Sequence, residues 1–344
     1  MRIVETADEL DEAVAAAKRE AASAFGDDRV YLEKYLSEPH HIEIQVFGDG
    51  EGGVVHLGER ECSVQRRHQK IVEEAPSPMV GPALRDRMGE AAIRLAGSMD
   101  YAGAGTVEFI VDDSGAFYFL EMNTRLQVEH AVTEMITSTD LVRWQLEVAS
   151  GSGLPIEIGH TPAVSGHAIE CRIYAEDPSA GFLPTAGRVD RVEHPTGPGI
   201  RVDSALYDGF DVPLEYDPML AKIVAWAPDR AHAIERMRGA LRETAILGVE
   251  TNVAFLLDIL ADPSFGDGTF TTTTVGERYT NWKPDESGLS IAAAAAAILS
   301  AAAVPPGGDR AARGTTASIN DPWQTLAGWR HGQRAEPAER GDEE

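Results

Sequence analysis

Cysteine is nearly absent: Cys62 and Cys171 are the only two in 344 residues, and their separation gives neither a metal-ligand spacing nor a disulfide framework. No His or Cys recurs at zinc-ligand spacing either, so a reduced, cytoplasmic chain without structural zinc is expected. Lysine is almost as scarce, at five residues. The 30 basic residues stand against 56 acidic ones, for a formal net charge of −26. A chain this acidic lacks the basic footprint that nucleic-acid backbones require, which excludes that class of partner from the expectations. Arginine in preference to lysine under such an acid excess suggests a salt-loaded, halophilic cytoplasm, where surplus carboxylates keep proteins dispersed under strong screening. Long hydrophobic runs are missing too. The most apolar stretch, 290–304, is mostly alanine and reads as a helical linker, so neither a membrane span nor a signal segment is expected.

What the chain does have is an unusual row, F-L-E-M-N-T-R-L-Q-V-E at 119–129. Glu121, Asn123, Arg125, Gln127 and Glu129 alternate with apolar Met122, Leu126 and Val128, and an extended chain projects such alternate residues from one side. Solvent-facing strands alternate in the same way, and that reading stays open. The residue types favour a site, because hard oxygen ligands beside a planar bidentate donor suit Mg²⁺ and a small oxyanion. Upstream, the strand-like runs 105–111 and 116–122 flank Asp112-Asp113-Ser114-Gly115, a turn signal, and predict a hairpin. Glu108 then lies across from, or close to, Glu121, and two unpaired carboxylates on one face call for a cation between them.

Elsewhere the pattern predicts a strand at Arg2–Glu5 and a helix over 7–24 capped by Thr6 with Glu9. It predicts a strand through Val30–Leu36 carrying Glu33 and Lys34, and another at 41–46 in which His41, Glu43 and Gln45 form one polar face. Helices are expected over 82–97, 139–149 (closed by Gly151), 231–241 and 252–260, with strands over 166–175 and 222–227. Gln65-Arg66-Arg67-His68-Gln69-Lys70 concentrates formal cations in an acidic chain, either as a solvated turn or as compensation for anionic substrates. Beyond Pro284 the Ala/Pro/Gly/Arg composition reads as linker and mostly disordered tail, apart from a segment around Trp323 and Trp329 expected to dock.

The segments V-Y-L-E-K-Y-L (30–36), H-I-E-I-Q-V (41–46), E-R-E-C-S-V-Q-R-R-H-Q-K-I-V-E-E-A-P (59–76), E-M-N-T-R-L-Q-V-E-H (121–130) and G-H-A-I-E-C-R-I-Y-A-E-D-P (166–178) resemble biotin carboxylase, the ATP-grasp component of acetyl- or propionyl-CoA carboxylase type enzymes. The resemblance implies an α+β chain carrying the C-terminal half of the ATP-grasp fold and the biotin carboxylase C-terminal domain. Residues 1–29 would be a remnant of the lid, 30–151 the ATP-grasp catalytic subdomain, 160–283 the C-terminal domain and 284–344 the tail. It implies ATP contacts at Glu33, Lys34, Leu36, His41, Gln65, His68, Glu108 and Glu121, and Mg²⁺ or Mn²⁺ on Glu108, Glu121 and Asn123. Bicarbonate and biotin would meet Arg125, Gln127, Val128 and Arg172, with Glu129 as general base and Lys70 near bicarbonate; Glu129, Arg125, Arg172 and Lys70 form the catalytic set. From the residues alone Arg172 could equally be a structural partner of Glu170.

The implied reaction is ATP-dependent carboxylation of biotin through carboxyphosphate. Biotin would arrive on a separate carrier protein or domain, a carboxyltransferase subunit would take the product onward, and the intact enzyme would be a homodimer. One departure stands beside the match. No glycine precedes Gly26, whereas the family places a glycine-rich phosphate loop, an N-terminal domain and two ATP-binding lysines ahead of this region. The chain is therefore expected to be inactive alone and to need those parts from a partner. Two further readings are a non-catalytic binding or dimerisation module of the same fold, and another ATP-grasp ligase such as carbamoyl-phosphate synthetase.

Overall fold

The computed structural model describes residues 2–302. The segment bearing Trp323 and Trp329 lies outside them. Residues 1–284 form one compact unit, and a second unit starts at Asp285 and includes the helix Leu289–Ala302.

In the first unit, α1 (Leu10–Phe25) follows a 3₁₀ turn at Ala7–Glu9 and buries no side chain. Thr6 makes no capping bond; the Glu9 carboxylate instead accepts from the Glu5 amide. Arg2–Glu5 forms no strand. Val30–Leu36 is also irregular, because it has no neighbouring strand on which its β-branched and aromatic residues could pack.

The frame is one antiparallel sheet of eight strands. These are β1 (His40–Asp49), β2 (Val54–Arg66), β3 (Gln69–Ala75), β4 (Ala102–Val111), β5 (Phe117–Asn123), β6 (His167–Tyr174), β7 (Ile200–Ser204) and β8 (Met219–Ala227), in the order β7-β8-β6-β3-β2-β1-β4-β5. Strands from 30–151 and from 160–283 thus share a single sheet. On one face α2 (Pro82–Gly97), started by Pro82 in its first turn, buries Met88, Ala92 and Ala96 against Ile42, Ile44, Val107 and Phe109. On the same face α5 (Arg230–Glu243) and α6 (Val253–Ala261) cover Ile169, Ile173 and Ile223. The opposite face carries the polar alternates, and α3 (His130–Thr137) and α4 (Leu141–Ala149) cover part of it. Gly151 ends α4 at φ +84°, its amide donating to Val148 and the next amide to Glu147, the 5→2 and 6→1 bonds of a Schellman closure.

Gly48 marks a tight contact between β1 and the approach to β4. A Cβ built there would lie 1.9 Å from the Tyr101 carbonyl oxygen, which is backbone and cannot swing away. Gly48→Ala should therefore lower stability by roughly 1–3 kcal/mol. Urea denaturation checks it, and an unchanged midpoint would show that the strand end relaxes freely.

Candidate active site

Cross-strand register sets a rung of ionisable residues across the sheet. Arg60 on β2 faces Glu43 on β1, Glu43 faces Glu108 on β4, and Glu108 faces Glu121 on β5. On the other side Arg172 on β6 faces Lys222 on β8, which faces Asp203 on β7. The hairpin expected at 105–122 is present, with Glu108 and Glu121 in direct register.

Lys70 joins the two halves. Its Nζ donates to Glu43 Oε2 at 2.5 Å, Glu108 Oε1 at 2.9 Å and Glu129 Oε1 at 2.7 Å. The second oxygen of Glu129 accepts from Arg172 Nη2 at 3.0 Å, and Arg172 Nε donates to Glu73 at 2.6 Å. Glu129 is thus gripped by two cations, one per oxygen. Burial pushes its carboxyl up and Glu43 adds to the rise, but Lys70, Arg172 and Arg60 outweigh both and hold it below the ordinary glutamate value. Arg125 donates to the Leu126 carbonyl and to Asn123. Arg172 makes its bonds to Glu73 and Glu129 rather than to Glu170.

Glu108 is saturated with donors. Besides Lys70 it accepts from His41 Nε2 at 2.8 Å, Asn123 Nδ2 at 3.0 Å and Gln127 Nε2 at 2.9 Å. Burial works against its charge, yet the His41 and Lys70 contacts hold its carboxyl far below the ordinary value. The Lys70 ammonium is the cation against Glu108, and its bonds go to Glu43, Glu108 and Glu129. Asn123 Nδ2 donates to Glu108 Oε1 at 3.0 Å and to Glu121 Oε1 at 3.1 Å, so one amide bridges both carboxylates. Turning the amide would present its oxygen there instead, and three hard oxygens of that kind fit Mg²⁺.

Beneath this layer Arg60, fully buried, donates to Glu43 at 2.5 Å, Gln45 at 2.7 Å, Thr133 at 2.9 Å, Thr106 at 3.1 Å and Gln127 at 3.3 Å. Burial pushes Glu43 up, but Arg60 and Lys70 bring it down to about 2. Glu43, Arg60, Glu73 and Lys222 are the structural partners that sequence reasoning left without a role. Glu43 lay in the His41–Gln45 alternation, the one signal that could have found it.

A cavity of about 1150 Å³ opens over this layer. Every residue expected at the site lines it: Glu33, Lys34, Leu36, His41, Gln65, His68, Lys70, Glu108, Glu121, Asn123, Arg125, Gln127, Val128, Glu129 and Arg172. The row at 119–129 stays extended only to Asn123; Arg125 to Glu129 reach the cavity from the irregular lead into α3. Glu33, Lys34 and Leu36 reach it from the irregular segment, where Lys34 donates to the Tyr118 hydroxyl at 2.5 Å. The Q-R-R-H-Q-K run is a hairpin turn between β2 and β3 with Arg67 and His68 at positive φ. Only part of its charge faces the cavity. Arg66 pairs with Glu176 and stacks over Phe182, whereas Arg67, His68 and Lys70 line the cleft.

Residues 1–157 match the family described as carbamoyl-phosphate synthase L chain, ATP binding domain, and residues 170–277 match the biotin carboxylase C-terminal domain. The biotin carboxylase of Nostoc sp. is 49% identical over 277 residues, 80% of this chain and 62% of that protein. The chain carries the biotin carboxylase C-terminal domain and is similar to biotin carboxylases over the matched residues. Among solved structures, the biotin carboxylase domain of a thermophilic 2-oxoglutarate carboxylase bound to bicarbonate superposes with a TM-score of 0.77 at 46% identity, covering 80% of this chain and 62% of that one. The Hydrogenobacter thermophilus 2-oxoglutarate carboxylase biotin carboxylase domain dimer, in complex with MgADP, ADP and bicarbonate, gives 0.75 at 46% identity, with 80% and 61% covered. The chain spans about three fifths of the length of these biotin carboxylases.

Proposed function

We propose that the cleft is the carboxylation centre of a biotin carboxylase, an ATP-dependent carbon–nitrogen ligase acting in an acyl-CoA carboxylase. The observation that carries this reading is Glu129, held between Lys70 and Arg172 and opening on the cavity beside Glu108, Glu121 and Asn123. The depressed Glu129 carboxyl is ionised at neutral pH, the state a general base needs. Bicarbonate rests on Arg125, Gln127 and the Val128 backbone, and gives its proton to Glu129. One bicarbonate oxygen then bonds to the γ-phosphorus of ATP as the bond to ADP breaks, yielding carboxyphosphate. Lys70 and His68 offset the charge that gathers on the transferring group. Mg²⁺ on Glu108, Glu121 and Asn123 supplies charge neutralisation of the phosphates when bound.

Carboxyphosphate breaks its C–O bond to give CO₂ and phosphate. The biotin ureido nitrogen attacks that CO₂ while its proton passes to phosphate, and Arg172 stabilises the negative charge left on the ureido oxygen. Glu33, Lys34, Leu36, His41 and Gln65 hold the nucleotide. Biotin arrives on a carrier, a carboxyltransferase uses the product, and the working enzyme is a cytoplasmic homodimer. Turnover requires the part of the relatives that this chain does not span. The residue blocks keep the roles that resemblance implies, with lid remnant, catalytic subdomain, C-terminal domain and tail in that order.

The test is ATP hydrolysis dependent on bicarbonate and biotin, by this chain alone and mixed with the N-terminal segment of a relative. Activity appearing on mixing supports the reading; its absence from both samples opposes it. In the active mixture, Glu121→Gln should raise the Mg²⁺ concentration needed for half-maximal rate by about tenfold, as a lost charge worth about 1.4 kcal/mol of metal binding would. An unmoved Mg²⁺ dependence would reassign Glu121 to structure.

A further inference from the structure

Two of the buried carboxyls outside this scheme face each other. Glu73 on β3 and Glu170 on β6 are direct cross-strand partners, and neither is exposed to solvent. Like charges in that position repel, and burial removes the water that would screen them. Glu73 uses one oxygen on Arg172; its other oxygen has no hydrogen-bond partner. Neither oxygen of Glu170 has one. The cation beside it, Lys222 Nζ, stands 3.5 Å away and donates instead to the Val128 carbonyl. A carboxylate buried without a donor is a costly species, and protonation removes that cost.

We propose that Glu73 and Glu170 form a carboxyl pair carrying one proton, held on Glu170, and that the pair positions the Val128–Glu129 segment through Arg172 and Lys222. One arm runs from Glu73 through Arg172 to the Glu129 carboxylate. The other runs from Glu170 past Lys222 to the Val128 carbonyl. A neutral Glu170 leaves Lys222 directed at that carbonyl, whereas an ionised one competes for it. The inference deepens the proposed function and rests on its reading of Val128 and Glu129 as the bicarbonate end of the cleft.

The charged groups facing the pair are Lys70 on β3, Arg172 on β6, Lys222 on β8 and Glu129 ahead of α3, with Asp203 on β7 lying 3.5 Å from Lys222. Burial pushes Glu170 up to about 8 against the pull of Lys222, and the Glu73 charge adds to the rise. Burial likewise pushes Glu73 to about 7 against Arg172.

Infrared titration of the whole chain tests this, with the isotope-labelled Val128 carbonyl followed by NMR through the same pH series. The wild type should show a buried protonated-carboxyl band at neutral pH that disappears in alkali and is missing in Glu170→Gln. The Val128 resonance should move with the same midpoint in the wild type and stay fixed in Glu170→Gln. Glu73→Gln, which removes the like charge, should keep the band and shift its midpoint to lower pH; that shift decides the matter if Glu170→Gln does not fold. A wild type without the band, or a band untouched by Glu170→Gln, overturns the proton assignment. A Val128 resonance that titrates identically in both proteins overturns the positioning role. Neither signal needs turnover, so a mixture with the N-terminal segment that stays inactive counts against the biotin carboxylase reading while the spectra still decide this one.

Discussion

Lys70→Met should lower bicarbonate-dependent ATP hydrolysis by the active mixture by at least about 10²–10³-fold, the usual cost of one preorganised donor at a charge-developing centre. The effect has two physical parts. Lys70 touches Glu43, Glu108 and Glu129 at once, so its loss leaves three buried carboxylates facing one another. They relieve that repulsion by taking up protons. Glu129 then loses one of the cations that depress it, and its carboxyl rises. A base that is protonated at working pH cannot accept the bicarbonate proton. The acid limb of the kcat profile should therefore move to higher pH, a signature that simple loss of fold does not produce. Lys70→Arg should not rescue, because a planar fork cannot direct donors at three carboxylates that converge on one tetrahedral nitrogen. An unshifted acid limb in an otherwise active Lys70→Met mixture would show that Glu129 is not the base.

The hairpin was legible in the chain, since period-two alternation and the Asp112–Gly115 turn mark both strands, but its register was not: Phe109 faces Phe119, and only an irregularity between Glu108 and Phe109 sets Glu108 opposite Glu121 rather than Leu120. The helices over 82–97 and 141–149 were legible too, from Pro82 at the start of one and Gly151 beyond the end of the other. Burial of the polar face was not. Alternation in His41–Gln45 describes a strand with two unlike sides, but nothing local shows that the polar side lies under α3, where Glu43 and Arg60 have no water and must bind each other. Nor does local sequence show which residues of distant strands stand opposite, so the Glu73–Glu170 and Arg172–Lys222 pairings emerge only from the sheet order. Val30–Leu36 shows the converse error. Its residues suit a pleated surface, yet no neighbouring strand is offered, and the segment borders the cavity without regular structure.

The largest loss of stability among these changes is expected at Arg60, which has no solvent exposure and five hydrogen-bond acceptors on Glu43, Gln45, Thr106, Gln127 and Thr133. Arg60→Met keeps much of the side-chain volume and removes the charge, leaving Glu43 with Lys70 as its remaining ion pair. Breaking a buried pair from one side costs about 3–5 kcal/mol. At roughly 2–4 °C per kcal/mol for a domain of this size class, the melting temperature should drop by on the order of 10 °C. The pH dependence identifies the cause. Glu43 is depressed to about 2 in the folded chain, against about 4.3 for an unfolded glutamate. Its contribution is therefore complete above the unfolded value and is lost as pH falls from about 4.3 toward 2. Arg60→Met should weaken that acid dependence, because the folded-state depression depends on Arg60 first. Pairing Arg60→Met with Glu43→Gln should cost less than the two single losses added together, since no buried carboxylate is then left short of a partner. Strict additivity in that cycle would mean that Arg60 stabilises the sheet by packing and neutral hydrogen bonds alone, and that the charge rung from Arg60 to Glu121 is not an energetic unit.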